Sequence, residues 1–336
     1  YAWGSNGSFA WGPFNNNANS RGTNNSVFRA RGYITTDARS QTAYGTVRAY
    51  MAIGISENDV GLNTAANVFS ANRAFIQWAG FTFGRATSFF DFYNVPATSY
   101  WGAFPASDMG DPGWMVAAYT AQFGGGFSAT ISAEERRMTQ IIGGGLGSGA
   151  PFGAFGPAGV AGTNGAYGGF QSPDVVANTR IDQAWGSAQI MGALHQANAL
   201  YYGGAAPGTG HPGDKWGYAV GAGIKLNAPM IGVGDYLQAQ VNFAEGASRY
   251  VFATPNSNWG YGNGTGNVAA YGIMSDAVYG GTIAAGNASG AELTKTWGFN
   301  AAYEHFWNPA WRTSLYGGYA AVRYNDRGNA MLCVLQ

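Results

Sequence analysis

The stretch Arg73-Ala74-Phe75-Ile76-Gln77-Trp78-Ala79-Gly80-Phe81-Thr82-Phe83-Gly84-Arg85 decides the fold. Its first six residues alternate as a half-buried strand does. Gly80 permits a tight reversal, and Phe81 to Arg85 reads as the returning strand. The pattern then breaks from Ser88 to Gly113, a span holding aromatics, Pro96, Pro105 and the carboxylates Asp91, Asp108 and Asp111. Alternation resumes from Trp114 to Phe123. A long irregular insert in an all-β chain usually has a function. This one is too aromatic for a flexible linker, which is polar and Gly/Ser-rich. The expectation is that it packs inside a barrel.

Outward from that stretch the same pattern recurs. Ser26 to Thr36 reads as a strand with Phe28, Ala30 and Ile34 on one face and Arg29, Arg31 and Tyr33 on the other, turned by Asp37-Ala38-Arg39-Ser40. Tyr44 to Ile55 is the clearest strand: Val47, Ala49, Met51 and Ile53 share a face opposite Thr46, Arg48 and Tyr50. A loop is expected over Ser56 to Ser70. After Gly124-Gly125-Gly126, further strands run from Phe127 to Glu134, Asn178 to Trp185, Ser187 to His195, Trp216 to Leu226, Tyr236 to Glu245, Thr294 to Glu304 and Trp311 to Tyr324. Tyr1 to Asn25, Arg136 to Ser172 and Gly246 to Gly290 read as loops, and Met331 to Gln336 as an unstructured end. The pattern gives about twelve strands, with short and long connections in strict alternation.

That parity is the arrangement of a meander with turns at one end and loops at the other, as in outer-membrane barrels. A soluble sandwich has no reason to segregate loop lengths and turns its polar faces to bulk water. Here those faces carry Thr, Ser, Gln, Asn, Arg and Gly with almost no Lys or Glu, which suits a narrow water-filled lumen. Aromatics gather at strand ends, Phe306, Trp307 and Trp311 at the last turn and Trp216 and Tyr218 at a loop end, as interfacial girdles require.

Composition agrees. Charged residues are 10% of the chain, against about 25% in an average soluble domain. Lys+Arg and Asp+Glu number 17 each, so there is no basic surface for nucleic acid. High glycine and 15% aromatics suit short strands and tight turns. No apolar run is long enough for a transmembrane helix. The lone Cys333 excludes an intrachain disulfide.

The runs Phe28-Arg29-Ala30-Arg31-Gly32, Tyr44-Gly45-Thr46-Val47-Arg48-Ala49-Tyr50 and above all Phe75 to Ala86 with Ser88-Phe89-Phe90-Asp91-Phe92-Tyr93 resemble the alphaproteobacterial (rhizobial-type) general porins, over roughly Ser26 to Cys333. The resemblance implies a sixteen-stranded homotrimer in the outer membrane of a Gram-negative bacterium. It implies a passive, water-filled channel for small hydrophilic solutes and ions, in contact with outer-membrane lipid, and no cofactor. It also implies a third outer loop folded into the pore, joining the fifth and sixth strands. If one strand precedes Tyr1, Ser88–Gly113 holds that place. The family's first strand, last three strands and terminal aromatic residue are missing, so the chain is expected to be a single porin domain (1–336) truncated at both ends.

In a barrel, Arg29, Arg31 and Arg48 form a cationic wall, because arginine facing lipid at mid-depth costs about 2–4 kcal/mol; the plainer alternative is solvated surface arginines. Arg73, nearer a loop rim, and Arg85 are counted with the pore constriction as well, although Arg85 shares parity with Phe81 and Phe83, so that its lumen position needs a bulge or lumenal aromatics. Asp91, Asp108 and Asp111 in the insert (88–113) are expected to face the wall as the pore constriction, against alternatives of turn-forming Asp or a calcium loop. Enzyme signals are poor. His195, His211 and His305 lack metal-ligand spacing, Glu134 and Glu135 point to opposite faces, and Gly143–Gly145 leads from no strand into a helix. The rival reading is a secreted or cell-surface glycan-binding β protein.

Overall fold

The computed structural model describes residues 29–58, 68–92, 113–144, 167–202, 207–251, 258–262, 268–273 and 275–334. In chain order the strands are β1 (Arg29–Thr42), β2 (Gly45–Asn58), β3 (Val68–Trp78), β4 (Phe81–Ala86), β5 (Trp114–Gly124), β6 (Phe127–Glu134), β7 (Ile141–Gly144), β8 (Asp174–Gln183) and β9 (Gly186–Ala197). They continue with β10 (Lys215–Asn227), β11 (Tyr236–Glu245), β12 (Asn258–Gly262), β13 (Val268–Ile273), β14 (Ala277–Gly280), β15 (Glu292–Leu293), β16 (Lys295–Asn308) and β17 (Trp311–Arg323), and helix α1 (Asp326–Val334) follows. Twelve of these form one antiparallel sheet in the order β1-β2-β3-β4-β5-β6-β8-β9-β10-β11-β16-β17, the number of strands the alternation predicts.

Short and long connections segregate as expected. Ala79 (φ 48) and Gly80 (φ 86) reverse β3 into β4. Gly126 (φ 76) does the same before β6, where a Cβ would lie 1.9 Å from the Asp182 carbonyl oxygen. The opposite end carries the insert after β4 and the long segments after β6, β9 and β11.

Burial along the strands is inverted relative to a soluble sheet. On β6, Ile131 is 58% exposed beside Thr130 at 6%; on β9, Ile190 is 68% exposed beside Gln189 at 4%; on β17, Leu315 is 75% exposed. In water, sheets bury apolar faces. A sheet that buries Thr, Gln and Asn and exposes Ile and Leu is built for an apolar surround and a polar interior. The inner face is concave. From Ala86 to Phe92 the chain includes a turn closed by the Asp91 N–H on the Ser88 carbonyl, so it spans less than about 18 Å. Yet the Phe92 N–H reaches Gln240 of β11, six strand spacings or about 29 Å away along the sheet. That contact is a chord across a curved wall.

Several local expectations change. Asp37 to Ser40 is strand, not turn: β1 runs to Thr42, because Asp37 and Arg39 have charge partners on the inner face that a turn would not offer. The expected loop over Ser56 to Ser70 is shortened by β2 and β3, which extend from Ile55↔Phe69 to Ser56↔Val68. The long segments after β6 and β11 contain β7 and β14, which pair in parallel, with β15 antiparallel to β14. Met331 to Val334 belongs to α1, whose Met331 and Leu332 pack with Tyr324 on Ile142 and Val278 of that small sheet.

Candidate functional site

The inner face of β1, β2 and β3 carries an arginine cluster. Register sets Arg39 opposite Arg48 and Arg48 opposite Gln77. Two like charges directly opposite destabilise a sheet, and Asp37 resolves this. Its carboxylate accepts a fork from Arg39 (3.1 and 2.9 Å) and a second from Arg48 (both 3.0 Å). Arg48 also donates to Gln77 Oε1 at 3.2 Å. Its guanidinium lies 5.1 Å from the Tyr50 ring centroid and 5.5 Å from that of Phe75, rings that stack on each other at 5.2 Å. Arg48 is therefore held by three polar bonds and two rings, and the cluster carries one net positive charge.

The other predicted residues separate. Arg29 and Arg31 stand in β1 opposite Asn58 and Ser56, with the backbone parity of Asp37 and Arg39. Arg73 has the inward parity of Phe75, but its guanidinium is tied to the Asn72 carbonyl (2.6 Å) and Thr87 Oγ1 (3.1 Å). It sits where the insert leaves β4, and a Cβ on Gly113, where the insert returns, would lie 2.9 Å from it. Arg85 faces the other way. Register sets it between Ala74 and Met115 with no bulge, both on the exposed face, so Arg85 keeps the parity of Phe81 and Phe83 and does not join the wall.

The start of the insert is anchored on the inner face. The Phe89 N–H donates to Glu134 Oε1 (2.9 Å), and its carbonyl accepts from Asn178 (2.6 Å) and Gln189 (3.3 Å). Phe90 is buried with Val176, Met191, Ala193, Ala219 and Tyr250. Gly223 of β10 makes room for Phe92: a Cβ there would meet the Phe92 ring at 2.3 Å. Asp91 pairs with Arg137 through two bonds of 3.0 and 2.7 Å, both side chains fully buried. Its charge is thus matched inside the fold. Asp108 and Asp111 lie outside the described residues.

Arg137 and Arg180 were not singled out from sequence. Arg137 lay in what reads as a loop, and nothing in its neighbourhood signals its partner 46 residues away. Arg180 was legible: strand parity gives it the face of Asn178, and it lies over the Phe92 ring at 5.2 Å while pairing with Asp182.

Behind the insert, a buried polar cluster joins the long segments to the wall. Asp174 accepts from His195 Nδ1 (2.8 Å), the Arg137 N–H (3.0 Å) and the Tyr250 hydroxyl (2.7 Å). Asp276 accepts from the Tyr167 hydroxyl (2.6 Å) and the N–H groups of Thr139 (2.9 Å) and Ser248 (2.6 Å). Burial, followed by the Asp276 carboxylate, pushes the Tyr167 phenol well above its ordinary value. Burial and then Asp174 do the same to Tyr250. Among the described residues no group of His, Cys, Asp or Glu has the disposition of a metal site.

A sequence profile of the porin subfamily matches residues 9–335. No curated protein matches the chain. Among solved structures, the outer membrane channel DcaP of Acinetobacter baumannii superposes with a TM-score of 0.51 at 14% identity, covering 91% of this chain and 82% of that one. That likeness is one of fold. Together with the inverted sheet, the profile match establishes that the chain belongs to the porin subfamily, as a β-barrel channel of the Gram-negative outer membrane.

Proposed function

We propose that selectivity in this channel arises between the inner-wall arginine cluster and the insert 88–113, acting as a constriction loop. The observation that carries the reading is the anchoring of Ser88 to Phe92 on the inner face, which starts the insert across the concave side of the sheet. Arg48, with Arg29 and Arg31 of like backbone parity, supplies the positive side; Asp108 and Asp111 supply the negative one. Arg73 anchors the insert rather than filtering ions. Solutes pass by diffusion, filtered by size and by this field, without cofactor or catalysis. The working form is a homotrimer in outer-membrane lipid, of the rhizobial type, with a sixteen-stranded barrel completed by strands beyond the twelve described.

Reversal potential in a planar bilayer under a salt gradient tests the filter. Arg48→Asp is expected to move the channel towards cations, and Asp108→Asn with Asp111→Asn towards anions. If both variants keep the parent's reversal potential at low salt, the constriction has been placed wrongly. Gel mobility of unheated against boiled samples reads the trimer separately.

A further inference from the structure

The connections on the turn side of the sheet are not alike. β1–β2, β3–β4, β5–β6, β8–β9 and β16–β17 are each joined by two residues, while β10 and β11 are joined by eight, 228 to 235. The first seven, Ala228-Pro229-Met230-Ile231-Gly232-Val233-Gly234, carry no charge. Val233 (90%) and Met230 (82%) are the most exposed large apolar side chains among the described residues, and Ile231 is 64% exposed. A contiguous apolar tip of this kind marks an interaction surface.

The turn is folded, not slack. The Ala228 N–H donates to the Asp235 carbonyl (2.8 Å), the Ile231 N–H to the Ala228 carbonyl (3.0 Å) and the Asp235 N–H to the Gly232 carbonyl (3.1 Å). Asp235 then fixes its direction. Its side chain is fully buried. It accepts from the Tyr303 hydroxyl (2.5 Å) and the Phe306 N–H (2.8 Å) and pairs with His305 Nδ1 (2.7 Å). Tyr303 and His305 alternate with the buried Ala302 and Glu304, so they stand on the outer face with Trp297 and Phe299. Gly234, at φ 98, brings the backbone against the same strand: a Cβ there would lie 3.4 Å from the Phe306 ring. Three partners thus clamp the turn back onto the outer face instead of letting it run on along the strands. There it continues an apolar surface made by Leu226 and Leu237, register partners at its base, and by Trp307 and Trp311 beside the last turn, 68% and 72% exposed.

We propose that residues 228–235 form a membrane anchor that seats Met230, Ile231 and Val233 in the headgroup–acyl boundary of the leaflet on the turn side. The occupant follows from charge and direction. The tip is uncharged, clamped outward and continuous with the lipid-facing wall, whereas a partner on the water side would be met by a tip pointing away from the sheet. Apolar side chains at that boundary leave water as those of interfacial segments do, and a tip already held by the fold loses little freedom on entry. The proposal rests on the barrel reading for where the membrane lies and is independent of the constriction.

The test places a nitroxide at Val233→Cys, in a Cys333→Ser background, on the full-length protein in phosphatidylethanolamine–phosphatidylglycerol bilayers. Power-saturation EPR compares collisions with oxygen, which partitions into lipid, and with a water-soluble nickel chelate. Labels at Ile190→Cys, outward at mid-strand, and at Thr46→Cys, inward, give the lipid and water references. The Val233 label is expected to shift to the oxygen-rich side with Ile190. Adding Asp235→Ala is expected to return it towards Thr46, while the Ile190 label keeps its lipid signature and shows the barrel intact. A Val233 label as open to nickel as Thr46 overturns the proposal. So does one shielded from both reagents, since a second copy or another protein then covers the turn. An unchanged ratio in Asp235→Ala also overturns it, because Asp235 then does not direct the tip. An Ile190 label open to nickel overturns the barrel reading and the anchor with it. Reversal potential of the Val233 and Asp235 variants, expected unchanged, reads the constriction separately.

Discussion

Removing the Asp91 carboxylate should release the base of the insert while leaving the barrel folded. Asp91 and Arg137 are both inaccessible to solvent and joined by two bonds. Truncating one partner of a buried pair costs about 3–5 kcal/mol, because the other charge stays buried without compensation. Arg137 keeps some support, since its guanidinium lies 4.6 Å from the Tyr250 ring centroid and 4.9 Å from that of Trp114. Buried cation–π contacts of this kind are worth up to about 2 kcal/mol. The expected loss for Asp91→Ala is therefore about 2–4 kcal/mol, read locally rather than globally, because the pair ties loop to loop and not strand to strand.

Hydrogen exchange at the Phe89 to Phe92 amides is the suited assay. At about 1.4 kcal/mol per tenfold, protection should fall by roughly thirty- to a thousandfold. Replacing the pair by apolar residues, Asp91→Leu with Arg137→Met, should recover most of it, since buried pairs are often exchanged for packed apolar groups at little cost. Protection within about twofold of the parent in Asp91→Ala would refute the reasoning. The same variant separates two roles for Asp91: a buried, matched carboxylate should leave reversal potential nearly unchanged where Asp108 and Asp111 should move it.

Ile131→Arg places a charge on the outer face at mid-strand and should cost about 2–4 kcal/mol in a denaturant titration of the refolded barrel, whereas Thr46→Arg, exposed on the inner face, should cost under about 1 kcal/mol. Asp37→Asn should shift reversal potential towards anions, opposite to Arg48→Asp, by releasing both Arg39 and Arg48, and the shift should shrink at 1 M salt, where screening falls to about 3 Å. Tyr167 and Tyr250 have raised folded-state values, so their contribution is intact below the ordinary phenol value of about 10 and is lost as pH climbs above it. Loss of loop protection between about pH 7 and 8.5, where phenols of the unfolded chain are still protonated, would contradict that assignment.

How much the chain discloses follows from which forces wrote it. Strand alternation is dictated by two solvents on two faces, and most of the large sheet shows it, including the inward Arg48 and the outward Ile131. The face of Arg85 stayed open in the sequence, because parity with Phe83 holds only if no bulge intervenes, and the unbroken register of β4 decides it. What alternation cannot show is pairing between distant loops. Asp91 with Arg137 and Asp276 with Tyr167 are contacts between segments that carry no period, and β7 with β14 is a parallel pair across more than a hundred residues. The turn expected at Asp37 to Ser40 failed for a related reason: Asp and Ser favour turns locally, and the cross-strand guanidinium of Arg48, with the ladder to β2, holds Asp37 in a strand.

The same division explains how the loops are held. A soluble domain packs its connections on an apolar core, but here most of the large apolar side chains of the strands are committed to the outer face. The inner face can offer mostly Thr, Asn, Gln, Glu and small residues, so the insert and the long segments are fixed by hydrogen bonds to Glu134, Asn178, Gln189 and Gln240, and by carboxylates at Asp91, Asp174 and Asp276. Apolar packing enters where the wall carries Val176 and Met191 beside the small residues Ala193, Ala219 and Gly223. Removing buried polar anchors is costly because each leaves a partner unsatisfied, so the wall and its contents should respond to different perturbations. Outer-face substitutions act on insertion and global stability. Inner-face substitutions act on the position of the insert, and through it on the ions that pass.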